Sequence, residues 1–211
     1  MPTLQQAQKW YSTNDPVHGF DHVLRVYKMA EKLARIEGAD LEIVRAAALL
    51  HDAEGSTPDN ENNRATHHEA SASFAREILQ TEGWSEVQIT AVEHCIRAHR
   101  YRTTETPQTL EAKVLFDADK LDVLGAFGAA RTIAYAAQAN QPIFAKPSAQ
   151  FEATGKKEPG EPHSSYHEYL FKLRRVKDRL FTSEAKRIAE ARHTFLVAFY
   201  AQILSEAEGL S

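Results

Sequence analysis

The chain has 211 residues, a formal net charge of −4, 43% hydrophobic residues and 26% charged ones. That composition is ordinary for a globular protein and fits one domain, or one with a small appendage. The acidic balance argues against general nucleic-acid binding through a basic surface. No apolar run approaches the roughly 20 residues that span a bilayer. The opening MPTLQQAQKW lacks the apolar core of a signal peptide, so a cytoplasmic protein without a membrane partner is expected. The single cysteine, Cys95, rules out an internal disulfide and a cysteine-ligated zinc site.

Taken in chain order, the periodicity predicts helices at roughly 3–13, 20–37, 41–52, 65–81, 85–99, 108–122, 125–139, 165–181 and 183–207. Asn14, Asp15 and Pro16 separate the first two, and Gly38 ends the second. Sustained two-residue alternation is missing, so the fold class expected is all-α. The stretch 140–164 differs from the rest. It holds Pro142, Pro147, Pro159 and Pro162 with Gly155 and Gly160, and reads as a long loop. Its lysines, Lys146, Lys156 and Lys157, would suit either phosphate contacts or plain solvation. In the basic helix that follows, Leu173, Val176 and Leu180 form the apolar stripe, and Lys172, Arg175 and Arg179 line another face.

Polar residues interrupt three of the apolar stripes. In LEIVRAAALLHD, His51 follows Val44, Ala47 and Ala48 at helical spacing, with Asp52 next to it. In FDHVLRVYKMAEKLA, His22 continues the line of Val26, Ala30 and Leu33, and in EAKVLFDADKLDVLGA, Asp119 lies four residues after Leu115. Burying an imidazole or a carboxylate is expensive unless it is paired or bound to a metal. Four such groups from three apolar segments point to one metal ion. Neighbouring helix positions diverge by about 100°, so His51 and Asp52 can serve one ion only near a helix end. Gly55 and Pro58 would supply that end.

Two imidazoles and two carboxylates favour a transition-metal ion: manganese first, with iron, cobalt, nickel, zinc or magnesium as alternatives. An ion that accepts six ligands keeps two positions for water and substrate. It can lower the pKa of that water and polarise a phosphoryl oxygen, which suits hydrolysis of phosphate esters or anhydrides. Seven of the ten histidines lie between residues 18 and 99. Of these, His67 and His99 could hold a second ion or a substrate phosphate, whereas His68 and His94 read as ordinary polar-face or core residues. Asp117 and Asp122 could orient a ligand, cap a helix or lie at the surface.

The ordered set His22, His51-Asp52 and Asp119 resembles the H…HD…D signature of the HD-domain superfamily of metal-dependent phosphohydrolases. HVLRV, AALLHD and FDADKLDVLGAFGAAR surround those residues. The tail KDRLFTSEAKRIAEARHTFLVAF is similar to a branch that includes bacterial nucleoside-triphosphate pyrophosphohydrolases. The resemblance implies a single all-α HD domain over 1–211. Its core would span about 18–125, and a helical extension about 126–211 would carry the 140–164 loop and two C-terminal helices. It implies His22, His51, Asp52 and Asp119 as metal ligands. His18, His67, His99, Lys120 and Arg131 are expected at the substrate, and Asp52 with Glu54 in catalysis. Arg25 also falls where the branch carries a basic residue. The expected substrate is a small phosphate compound, a nucleotide, cut from triphosphate to monophosphate and pyrophosphate. A 5′-nucleotidase, a two-iron oxygenase and a non-catalytic metal-containing ligand-binding module are the competing functions.

Overall fold

The computed structural model describes residues 1–11, 19–54, 61–100 and 105–210, with the backbone alone for 61–66. Every regular element among them is helical, so the protein is all-α as the sequence predicts. The helices are α1 (Leu4–Ala7), α2 (Phe20–Glu37), α3 (Leu41–Leu50), α4 (Glu61–Thr81), α5 (Glu86–Ala98), α6 (Leu110–Asp122), α7 (Gly125–Gln138), α8 (Ala149–Thr154), α9 (Ser165–Phe171) and α10 (Ser183–Ala207). Short 3₁₀ turns follow α1 (Gln8–Trp10) and α9 (Leu173–Arg179). No helix among the described residues is long and apolar enough to cross a membrane.

The chain divides into two compact units. One comprises Met1–Lys120 with Leu180–Ala185, the other Leu121–Arg179 with Lys186–Ser211. The first is organised around α3, which packs against α1, α2, α4 and α5. Its sequence explains the central place. Val44, Ala46, Ala47, Ala48, Leu49 and Leu50 are all buried, so the helix is apolar almost all round, and three consecutive alanines let its neighbours approach closely. Asp40 caps its start by accepting from the Glu42 and Ile43 amides. Gly38, at φ 81°, ends α2 in the left-handed conformation just before it.

A second buried carboxylate secures the returning segment of this unit. Asp117, fully buried on α6, accepts from the backbone amides of Phe181 (2.9 Å) and Thr182 (2.7 Å) and from the Thr182 hydroxyl (2.7 Å). Asp117 is therefore buried against the segment leading into α10 and is not a surface residue. Phe116 and Phe181 meet edge to face at 5.2 Å on the same side, and the Glu184 amide donates to Glu37.

In the second unit the 140–164 stretch is not featureless. It contains α8 and is drawn together by Glu161, which accepts from the Ser148 amide and hydroxyl and from the Glu158 amide, and contacts the buried ring of His167. These donors, the Ser148 amide foremost, hold the Glu161 carboxyl well below the usual carboxylate range. The helix predicted over 165–181 is also different. Backbone at Lys172 (φ −122°, ψ −58°) leaves the helical region, and a 3₁₀ turn takes over. Its buried residues explain the change: Leu173 and Val176 are three apart, and a 3₁₀ turn stacks positions i and i+3.

Replacing Asp117 with alanine would strand the buried amides of Phe181 and Thr182. We expect urea denaturation to show a loss of roughly 3 kcal/mol. A loss below about 0.5 kcal/mol would mean that the Leu180–Ala185 segment is held mainly by its apolar contacts.

Candidate metal centre

Polar side chains from several helices can converge only where those helices end or begin, and that is where the titratable groups of the first unit sit. His22 lies in the first turn of α2, just after its N-cap, Gly19. His51 caps the C-terminus of α3, with Asp52 in the turn after it. His99 caps the C-terminus of α5, and Asp119 lies in the last turn of α6. His67 comes from α4.

Asp52 stands at the centre. Its Oδ2 is 3.6 Å from His51 Nε2 and 4.0 Å from His22 Nε2. Its Oδ1 is 3.4 Å from both His67 Nε2 and His99 Nε2. Two sets therefore share the carboxylate, His22–His51–Asp52 and Asp52–His67–His99, and the donor atoms of each lie within 4.8 Å of one another. Asp119 adjoins the first set, with Oδ1 3.5 Å from His22 Nε2, and its other oxygen accepts from Lys120. All these groups are buried except His67, which is half-buried.

Hydrogen placement sharpens the geometry. His51 Nδ1 lies 2.9 Å from the Ala48 carbonyl, and His99 Nδ1 contacts the Ile96 carbonyl. A carbonyl only accepts, so Nδ1 carries the hydrogen in both rings, and in the neutral ring Nε2 presents a lone pair. Those lone pairs face the Asp52 carboxylate. His51 Nε2 and Asp52 Oδ1 have no hydrogen-bond partner although both are buried. Acceptor turned on acceptor in an apolar interior needs a positive charge between them.

The remaining predicted residues fall as follows. Glu54 is exposed, and its backbone N–H and C=O are both tied to the Ser71 hydroxyl at 3.1 and 3.3 Å. Lys120 is buried, bonded to Asp119 and placed 5.2 Å over the Phe116 ring. Arg131 belongs to the second unit, where it pairs with Asp122 at 2.8 Å. Arg25 pairs with Asp21 at 2.7 Å. His18, Gly55 and Pro58 lie outside the described residues. His94 bridges Glu105 and the Gln108 amide.

Residues 19–124 match the HD domain family. The chain belongs to that family. It is similar over 198 residues, at 30% identity, to the uncharacterised protein YpgQ of Bacillus subtilis, an alignment covering 92% of this chain and 86% of YpgQ. The crystal structure of YpgQ in complex with ADP superposes with a TM-score of 0.75 at 27% identity, covering 99% of this chain and 100% of that one. A Bacillus thuringiensis protein described as an HD-superfamily hydrolase gives 0.70 at 27% identity, covering 97% and 94%. The fold is thus that of HD-superfamily hydrolases.

Within the HD pair, charge states suit metal ligation. Burial, the largest influence on His51, pushes its ring below the ordinary 6.5, with Asp52 pulling the other way. Burial alone would raise the Asp52 carboxyl, but positive charge on the surrounding imidazoles of His51, His99 and His67, when they are protonated, outweighs it and holds the carboxyl well below its usual range. Asp119 is likewise lowered, against burial, by Lys120 and the imidazoles of His22, His99 and His51. A neutral His51 ring beside an ionised Asp52 carboxylate is the pairing a divalent ion requires.

The helix end that the HD pair needs comes two residues earlier than predicted, at Leu50. The sequence reading assigned it to Gly55 and Pro58 and gave no role to Tyr11, whose hydroxyl donates to the Leu49 carbonyl at 2.8 Å. No local pattern could have found this contact, because it joins residues 38 positions apart.

The lowered pKa of His51 has a definite sign for stability. Its contribution is present above the ordinary 6.5 and is lost as pH falls, because the unfolded chain takes up a proton that the folded ring resists. Asp52 and Asp119 act the same way at lower pH, below their ordinary 3.8. We expect the urea midpoint of chelator-treated protein to fall between pH 7.5 and 5.5, and His51→Gln to flatten that fall. His68 and His193, also lowered by burial, would account for the remainder. A midpoint that rises over this range would contradict the assignment.

Proposed function

We propose that the protein is a divalent-metal-dependent phosphohydrolase acting on nucleotides, with His22, His51, Asp52 and Asp119 as metal ligands. The observation that carries this reading is the pair of buried, partnerless acceptors, His51 Nε2 and Asp52 Oδ1, in a pocket where imidazoles and carboxylates from five helix segments converge. A cation relieves that repulsion, and the nitrogen–oxygen donor set suits manganese and its transition-metal neighbours. When bound, such an ion supplies an acidified water and a polarised phosphoryl oxygen. The side chains do the rest. In this reading Lys120, bonded to Asp119, offsets phosphate charge, and Glu54, two residues beyond Asp52, accepts the proton of the attacking water. Arg131 and His18 are further candidates for phosphate contacts.

A nucleotide substrate is supported by the ADP in the YpgQ crystal structure, together with the resemblance of the tail KDRLFTSEAKRIAEARHTFLVAF to the pyrophosphohydrolase branch. On this reading water adds to the α-phosphorus of a triphosphate. The bond from that phosphorus to the bridging oxygen breaks, and pyrophosphate leaves. His67 and His99, facing the other oxygen of Asp52, serve either a second ion or a phosphate of the substrate.

Two measurements test this. Purified protein loaded with manganese and dialysed should retain at least one ion per chain by elemental analysis. His51→Ala or Asp52→Ala should lose it, together with more than about 100-fold of the activity. A ratio of two, falling to one in His67→Ala, would assign His67 to a second ion. The loaded protein should also be given nucleoside mono-, di- and triphosphates, with phosphate and pyrophosphate read separately. Pyrophosphate from triphosphates is the expected product. Faster orthophosphate release from monophosphates would make it a 5′-nucleotidase, and bound metal without turnover a ligand-binding module. Stoichiometric metal in Asp52→Ala would overturn the site itself.

A further inference from the structure

Tyr11 ends the N-terminal segment and buries its ring in a cluster with Ala7, Val23 and Leu49, against which Trp10, Phe20, Tyr27 and Ala53 pack. Its hydroxyl reaches the backbone at the point where α3 stops. In a helix continuing past Leu50, the Leu49 carbonyl would accept from the Ala53 amide and the Ala48 carbonyl from the Asp52 amide. Here side chains take both carbonyls. Tyr11 donates to Leu49 at 2.8 Å, and His51 Nδ1 donates to Ala48 at 2.9 Å. The Ala53 amide turns to the Leu50 carbonyl instead, at 3.3 Å, tightening the chain into an i→i+3 turn. The Asp52 backbone amide also donates toward the phenol oxygen.

This arrangement answers a geometrical difficulty. Consecutive residues of an α-helix point about 100° apart, so His51 and Asp52 could not face one another's donor set if α3 ran on through them. Something must stop the helix at Leu50 and fix the turn. Neither an adjacent glycine nor a proline does so, since Gly55 and Pro58 lie further along the chain.

We infer that Tyr11 is a positioning residue for the metal centre: its hydroxyl takes the Leu49 carbonyl out of the helix and holds the turn that brings Asp52 beside His51 and His22. The inference rests on the proposed metal reading of that site. The acting group is a single hydroxyl, and the surrounding ring packing is separable from it. Tyr11→Phe keeps the ring and removes only the oxygen. Trp10→Phe perturbs the same cluster, through its edge-to-face contact with Phe74, while leaving the Tyr11 hydroxyl and its bond to the Leu49 carbonyl in place.

The test is the dissociation constant of Co²⁺, measured by chelator competition on both variants and the wild type, with the visible absorption of the bound ion as a record of its ligand geometry. Circular dichroism checks that each protein is folded. Tyr11→Phe should bind about ten-fold more weakly, in the range seen when an outer partner of a ligand is lost, and show an altered spectrum. Trp10→Phe should bind within about two-fold of wild type with an unchanged spectrum. Wild-type affinity and spectrum in Tyr11→Phe would overturn the positioning role while leaving the metal site standing. An equal loss in Trp10→Phe would overturn it too, since the effect would then belong to the cluster's packing. Failure of the wild type to bind Co²⁺ would overturn both the site and this inference.

Discussion

A buried carboxylate ringed by imidazole nitrogens is the constraint around which the first unit is arranged. Asp52 offers each of its oxygens to a different pair of histidines, and none of these contacts is shorter than 3.4 Å. Without a cation the arrangement opposes lone pairs to negative charge where water cannot screen them, and the penalty for such burial runs to several kcal/mol per group. The proposed divalent ion converts that opposition into its binding energy, and ligand binding of this kind adds to folding stability.

The fold meets the constraint by bringing helix ends together. α3 runs through the middle of the unit and delivers the HD pair at its C-terminus, while α2 contributes its first turn and α5 and α6 their last. Small residues on α3 let its neighbours close in, and Asp117 pins the Leu180–Ala185 segment to α6 two residues before Asp119. Lys120 shares the charge of Asp119. In the second unit Glu161 has a comparable local task, gathering the amides of a proline-rich stretch that has few helical bonds of its own.

Much of this was legible in the sequence because its cause is periodic. His22 and His51 sit on the apolar stripes of long helices, and a polar residue on such a stripe must have a reason for being there. The helices with clear stripes and caps, such as α2 with Gly38 and α5 with the Ser85–Gln88 capping box, fall within a residue or two of their expected bounds. What escaped was set by tertiary contact. The break at Lys172 follows from burying Leu173 and Val176 together, which stripe counting reads equally well as α-helix. The division of Asp52 between two histidine pairs depends on where α4 and α5 place His67 and His99, and no spacing in the sequence encodes that. The stop at Leu50 depends on Tyr11, far away in the chain.

Anomalous diffraction from crystals grown with Mn²⁺ would locate the ion itself. A strong peak is expected about 2.0–2.3 Å from His22 Nε2, His51 Nε2 and an Asp52 oxygen. A well-ordered crystal in millimolar Mn²⁺ with no peak among these residues, or with its only peak elsewhere on the chain, would contradict the proposed metal centre.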